Sequence, residues 1–243
     1  MSNPWRLSIV IPAHNEVARL PAALKALAAA RTGIEAAGWT IGEVLIAENG
    51  SSDATSEVAL ATGARLGLPL RVAHYPTGKA AALAAAIPET DPACGSILYA
   101  DADGATDWAT LTAMRADGAV YLASRHLPDS RILRPHGDSV LRRTMSVGMR
   151  ALSGFLFGLG IADTQCGFKL GPATAFQSAF AALRSRSWVF DVELLVRLDR
   201  ARVDLVEVPC TWTEVHGSKV RPIPDTIESI ADLFAMRLRL RGR

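Results

Sequence analysis

LSIVIPAHNEVARLPAALKALAAA, residues 7–30, decides the fold class. An apolar run ends at Pro12 and reads as a buried strand. From Glu16 onward the leucines fall at Leu20, Leu24 and Leu27, the spacing of one helix face. Strand and helix are joined by PAHNE, a turn without glycine. A dinucleotide-binding fold needs a glycine-rich turn at this point, and TGKA (77–80) has neither the spacing nor the hydroxyl of a P-loop. The unit is therefore a strand–helix repeat that carries neither phosphate loop.

The alternation continues outward. EVLIAENG (43–50), LPLRVAHY (68–75), GSILYA (95–100) and GAVYLAS (118–124) read as strands. Between them, helices are predicted over 51–67, with Ser51 or Ser52 as N-cap and Gly67 as stop, over 78–87 and over 108–116. Residues 139–159 and 188–201 read as helices, DTQCGFKLG (163–171) as turn-rich, VDLVEVPCTWTEV (203–215) as one strand and HGSKVRP (216–222) as a loop. Strands alternating with helices predict an α/β fold with a single doubly wound, mostly parallel sheet and flanking helices. The expected organisation is one domain over 1–223 and a basic amphipathic helix over 224–243, ending RLRLRGR.

Composition narrows the function. The 243 residues are 49% hydrophobic with a net charge of +2, which suits a globular chain and gives no electrostatic reason to expect a nucleic-acid partner. Cys94, Cys166 and Cys210 show no CxxC spacing, so a zinc site or disulfide framework is not indicated and reduced thiols in the cytoplasm are expected. No apolar run approaches the roughly 18 residues of a membrane span, and no basic-then-apolar leader opens the sequence. The basic residues are nearly all arginine; the lysines are Lys25, Lys79, Lys169 and Lys219.

LYADADGATD (98–107) ends a predicted strand in three aspartates. Unpaired carboxylates lose hydration when buried, so a metal ion, a basic partner or open solvent must compensate. In a doubly wound sheet, ligands sit beyond the carboxyl ends of the strands. Pro12, Asn49, Asp101 and Ser124 fall at such ends. A short DxD turn suits Mg²⁺ or Mn²⁺ on a nucleotide diphosphate, because such an ion takes one or two carboxylates and completes its shell with phosphate oxygens and water. Standing alone, DAD reads more readily as a solvated turn than as a metal site.

SIVIPAHNE, ENGSSDAT, GKAAALAAAI, DADGATD, ASR, DTQCGFKL, FDVELL and EVPCTWTEVHGSKV occur in this order. Together they resemble the inverting family 2 glycosyltransferases of GT-A fold, in particular the dolichyl-phosphate β-glucosyltransferases and other polyprenyl-phosphate hexose synthases. The resemblance implies that Pro12, His14 and Glu16 line a nucleotide pocket and that Ala47, Glu48 and Asn49 meet base and ribose. ENGSSD stands where the family usually has DDGS-x-D, so Asn49 replaces a carboxylate. Asp101 and Asp103 would hold Mg²⁺ or Mn²⁺, with Asp103 at the catalytic centre. Mannosyl relatives often place a Gln at the position of Ala105; UDP-glucose is thus the favoured donor and GDP-mannose the alternative.

The implied reaction moves a hexose to a polyprenyl phosphate, giving a β-linked product from an α-linked donor. A phosphate acceptor is already anionic and needs no strong base. If a base exists, Asp191 or Glu193 is the candidate; a structural helix start is the other reading. Arg125 and Arg143 resemble acceptor-phosphate positions, and Lys169 and Lys219 are the other matching cations. Lys79 precedes a helix and either binds phosphate or is solvated. Gln165 either orients the donor sugar or braces its loop. Residues 139–161 and the 224–243 helix offer apolar faces for a lipid or a core. The basic end predicts peripheral attachment to the cytoplasmic face of a membrane. Two alternatives remain: the same fold acting on a soluble acceptor, and a nucleotide-sugar-binding protein without catalysis.

Overall fold

The computed structural model describes residues 2–134, 140–215 and 222–240, with side chains 140–146 and 222–223 excepted. The chain runs β1 (Asn3–Ala13), α1 (Leu20–Ala36), β2 (Thr40–Glu48), α2 (Thr55–Leu66), β3 (Leu70–His74), α3 (Lys79–Ala86), β4 (Cys94–Ala100), β5 (Val120–Ser124), β6 (Arg131–Leu133) and α4 (Val140–Phe157). It continues with β7 (Phe168–Pro172), α5 (Ala173–Ala181), α6 (Phe190–Arg200), β8 (Leu205–Pro209), β9 (Thr211–Thr213) and α7 (Pro222–Arg239).

A seven-stranded sheet has the order β3-β2-β1-β4-β7-β5-β8. It is parallel except for β7, which runs antiparallel to β4 and β5. The apolar run that opens the chain is split by the pleat. Leu7, Ile9 and Ile11 pack with Leu20, Leu24 and Leu27 of α1, whereas Val10 points to the other face, among residues of α3, α5 and α6. Both faces are covered, so β1 needs no polar alternation. A smaller cluster joins α4, α6 and α7 through Met149, Leu156, Val192, Val196, Leu233 and Met236.

Several local expectations change. DTQCGFKLG contains β7, a strand at the centre of the sheet rather than turn throughout. Its period is hidden because Lys169 stands at a fully buried position. VDLVEVPCTWTEV divides after Pro209, which has no N–H for a ladder; β8 stays in the large sheet and β9 pairs with β6 in a two-stranded ribbon. Residues 108–113 form a 3₁₀ rather than an α-helix. Neither Ser51 nor Ser52 caps α2: Ala54 occupies the cap and the Asp53 carboxylate accepts from the Thr55 N–H at 3.0 Å. α1 begins four residues beyond Glu16, where the leucine spacing sets in.

Candidate active site

A cleft of about 410 Å³ opens at the carboxyl ends of β1, β2 and β4. Of the residues singled out from sequence, it is lined by Pro12, His14, Glu16, Asn49, Lys79, Asp101 and Asp103. It is lined as well by Arg19, Thr77, Trp188, Trp212 and Glu214, which sequence reading did not pick.

The first wall is the loop after β1. Asn15 takes a left-handed conformation (φ 51°), which an Asn tolerates better than most residues. Its Oδ1 accepts from the Ser52 N–H at 2.8 Å and its own N–H donates to Ser51 Oγ at 2.9 Å, joining the loops after β1 and β2. Glu16 accepts two hydrogen bonds from Arg19, at 2.7 and 2.5 Å. Arg19 thereby stands at the start of α1, and its charge acts on Asp103. Asn49 is buried: its Nδ2 donates to the Ala13 carbonyl (2.9 Å) and the Ala47 carbonyl (3.2 Å), and its Oδ1 accepts from the Gly78 N–H (3.4 Å). A carboxylate has no donor for those carbonyls. The departure from DDGS thus places an amide where the backbone requires one.

The floor is the DAD turn. Lys79, the first residue of α3, reaches Asp101 at 2.5 Å. Burial alone would lower the lysine pKa, but Asp101, Asp191 and Asp103 reverse that and raise it, so the charge is secured. Burial, reinforced by the neighbouring Asp101 charge, pushes the Asp103 carboxyl above its usual range. Two carboxylates held together at that expense are a site for positive charge. Among the described residues no group of three His, Cys, Asp or Glu side chains could hold a metal. Two carboxylates are nevertheless what a diphosphate-bound Mg²⁺ or Mn²⁺ needs from the protein, and Asp101 and Asp103 fit that requirement.

Two glycines seat the turn. Gly104 has φ 67° and lies where a Cβ would meet Ala23 at 3.0 Å. Gly167 lies opposite Asp101, whose N–H donates to its carbonyl at 2.9 Å, and a Cβ at Gly167 would collide with the Asp101 carboxylate.

The far wall comes from β9 and the turn before α6. The Thr213 N–H donates to the Ala105 carbonyl at 2.8 Å, and the Asp107 N–H to the Thr211 carbonyl at 3.0 Å, so β9 is tied to the DAD turn. Trp188 Nε1 donates to Asp225 of α7 at 3.0 Å.

Other expected residues stand behind the cleft. Ala47 is core. Glu48 accepts from the Ser51 N–H and lies 2.7 Å from His74 Nδ1. Burial would raise its pKa, but these bonds and one from Gly50 bring it down to about 2. Its carboxylate organises the turn and does not line the pocket. Lys169 is fully buried, donating to the Cys166 carbonyl (2.6 Å) and Asp191 (2.7 Å), and Asp191 also accepts from Tyr99. The expected cation Lys169 and the expected base Asp191 are thus buried partners of each other and do not line the cleft. Glu193 is likewise engaged by Arg197. Arg125 is held by Asp163, and the Gln165 N–H donates to that same carboxylate. Neither Arg125 nor Gln165 is among the described residues lining the cleft. The Arg143 side chain and Lys219 lie outside the described residues.

The sequence profile of Glycosyl transferase family 2 matches residues 8–189. A dolichyl-phosphate beta-glucosyltransferase of Drosophila melanogaster is 31% identical over 96% of this chain and 74% of its own length. Its Homo sapiens counterpart is 32% identical over 96% of this chain and 75% of its own length. Among solved structures, glucosyl-3-phosphoglycerate synthase from Mycobacterium tuberculosis, in complex with Mn²⁺, UDP-glucose and phosphoglyceric acid, superposes with a TM-score of 0.64. It covers 96% of this chain and 79% of that one at 17% identity, a likeness of fold.

Proposed function

The chain belongs to glycosyl transferase family 2, and from that premise we propose that it transfers glucose from UDP-glucose to a polyprenyl phosphate of the dolichyl type, with Mg²⁺ or Mn²⁺ on the diphosphate. The observation that carries this reading is the Asp101–Asp103–Lys79 cluster at the floor of the cleft. When bound, the metal would supply charge to the leaving diphosphate. Asp101 and Asp103 would hold it, Lys79 would add a fixed positive charge beside the phosphates, and Pro12, His14 and Glu16 would flank the nucleotide. An acceptor phosphate oxygen forms a bond to C1 as the C1–O bond to the diphosphate breaks, the electron pair leaving on the nucleotide. No proton has to be removed, which agrees with Asp191 being sealed away. Transfer to a hydroxyl of a soluble acceptor is the second reading; Glu214, a carboxylate in the cleft wall, is what favours it.

The acceptor's chain needs an apolar surface. Phe155 of α4 is 86% exposed, and Ile227, Ile230, Phe234 and Leu238 of α7 are exposed at helical spacing. Phe155, Leu156, Phe234, Arg237 and Leu238 line a groove of about 340 Å³. From Ile227 to Leu238 the stripe spans about 16 Å at the rise of an α-helix, and the first turn of α7 is tied to the cleft wall through Asp225 and Trp188. Among the described residues no helix is long and apolar enough to cross a membrane. We place this face against the cytoplasmic side of an anionic membrane, with Arg237 and Arg239 toward the headgroups; the buried, unpaired Cys94, Cys166 and Cys210 suit a reducing compartment.

The test is transfer from labelled UDP-glucose, with GDP-mannose in parallel, to a polyprenyl phosphate in detergent with Mn²⁺. Metal-dependent product from UDP-glucose, lost in Asp103→Ala, is expected. Nucleotide-sugar binding without lipid product would favour the soluble acceptor or a non-catalytic binder. Sedimentation with anionic but not neutral liposomes, weakened by Phe234→Ser with Leu238→Ser, is expected of the membrane face.

A further inference from the structure

We propose that Trp212 is the platform on which the hexose ring of the donor rests, and that Arg125 acts through Trp212 as a positioning residue. The inference rests on the nucleotide-sugar reading above and specifies its sugar subsite.

Trp212 lines the cleft together with Asp101 and Asp103. Its place is fixed from two sides. In the β6–β9 ribbon it pairs with Ile132, and it bridges to Thr106, three residues past Asp103. The bonds from Thr213 to Ala105 and from Asp107 to Thr211 close the same seam. An aromatic wall is therefore locked beside the carboxylates that would hold the diphosphate. The hexose is the part of the donor attached to that diphosphate, so it lies next to this wall. Glucose carries its ring hydroxyls equatorially and shows axial C–H groups on both faces, which gives an apolar surface that a Trp ring matches.

Arg125 is built to hold that ring. Its Cζ lies 5.6 Å from the Trp212 ring centroid, within the range of a cation–π contact. Its Nε and one terminal nitrogen bond both oxygens of Asp163 at 2.7 and 2.9 Å, and its backbone N–H bonds Asp163 again at 2.9 Å. Asp163 is itself buried, and the N–H groups of Ala162 and Asp163 are held by the Glu207 carboxylate at 2.8 and 2.9 Å. The bidentate match to a buried carboxylate fixes the guanidinium beside the indole and leaves its remaining N–H groups uncommitted to Asp163.

The experiment follows tryptophan emission while UDP, UDP-glucose or UDP-galactose is titrated with Mn²⁺ into wild type, Trp212→Leu and Arg125→Lys. UDP-glucose should change the emission more than UDP does, and Trp212→Leu should abolish the difference. That variant should bind UDP as wild type does and UDP-glucose roughly three- to tenfold more weakly, the loss of one aromatic contact. UDP-galactose, with its axial hydroxyl, should bind less well than UDP-glucose in wild type, and the gap should narrow in Trp212→Leu. Arg125→Lys keeps the indole and the charge but loses the fork; it should diminish the hexose-dependent emission change and raise KM for the donor. If Trp212→Leu retains the wild-type preference for UDP-glucose over UDP, the platform is overturned. If Arg125→Lys raises the acceptor KM alone and leaves the emission change intact, the positioning role is overturned. Wild type that binds neither UDP nor UDP-glucose removes the nucleotide-sugar premise, and the platform falls with it.

Discussion

Two lysine–aspartate pairs stand at the same end of the sheet. Lys79 meets Asp101 at 2.5 Å with side chains 21% and 40% exposed; Lys169 meets Asp191 at 2.7 Å with side chains 0% and 3% exposed. The chemistry is the same and the surroundings are opposite. Lys169–Asp191 is closed in by Tyr99 and the Cys166 carbonyl, so neither partner can exchange. Lys79–Asp101 opens on the cleft, where water lowers the energy of separating the pair. A cation can take the aspartate and a phosphate the lysine. Burial, not residue type, divides the pair that holds the sheet from the pair proposed to serve the reaction.

The comparison breaks first if Lys169→Met is tolerated. That substitution leaves Asp191 charged and buried, and should lower the unfolding free energy by about 3–5 kcal/mol in denaturant titrations. Lys79→Met should be the mirror image. Stability should stay within about 1 kcal/mol, while glucosyl transfer should fall about a hundredfold, or roughly 2.7 kcal/mol of transition-state stabilisation. Equal stability losses in the two variants would erase the distinction.

Asp103→Asn sharpens it at smaller scale. The folded protein binds a proton at Asp103 more tightly than the unfolded chain does, because its pKa is raised by burial and by the Asp101 charge. Stability is therefore lost as pH rises through that value, and the amide should raise the Tm of the metal-free protein near neutral pH. The same variant should lose the Tm gain that Mn²⁺ with UDP gives wild type. A lower Tm in the absence of metal would show that the turn needs its charge for folding. The smallest effect belongs to Glu48. Its folded pKa lies near 2 against an ordinary 4.5, so its stabilisation is complete above 4.5 and is lost as pH falls toward 2. Glu48→Gln should flatten that part of the pH–stability curve, measured by urea unfolding, and leave the curve above pH 6 parallel to wild type.

The rim of the cleft was legible because strand ends are. Pro12, Asn49 and Asp101 each terminate an apolar run, and a doubly wound sheet gathers such ends. Lys79 was legible from its place before a helix. Arg19 was not: it stands within the predicted first turn of α1, and only the late start of that helix turns it to the cleft. Trp188, Trp212 and Glu214 arrive from elements more than 80 residues beyond the DAD turn, and no local period announces such a meeting. Lys169 misled in the opposite direction. A lone lysine in a turn-like motif suggests a ligand, whereas here it is the buried partner of Asp191 in a central strand whose pattern it conceals.

Gly167 gives the Asp101 carboxylate its seat by lacking an atom. In a saturation-mutagenesis screen for transfer, position 167 should therefore score like position 101, although it holds no functional group. A shift to alanine at Gly167 would become permissible only after the carboxylate at position 101 had been shortened or lost. The two positions, 66 residues apart by number, form a single heritable unit, and a lineage that abandons sugar transfer should be free to change both.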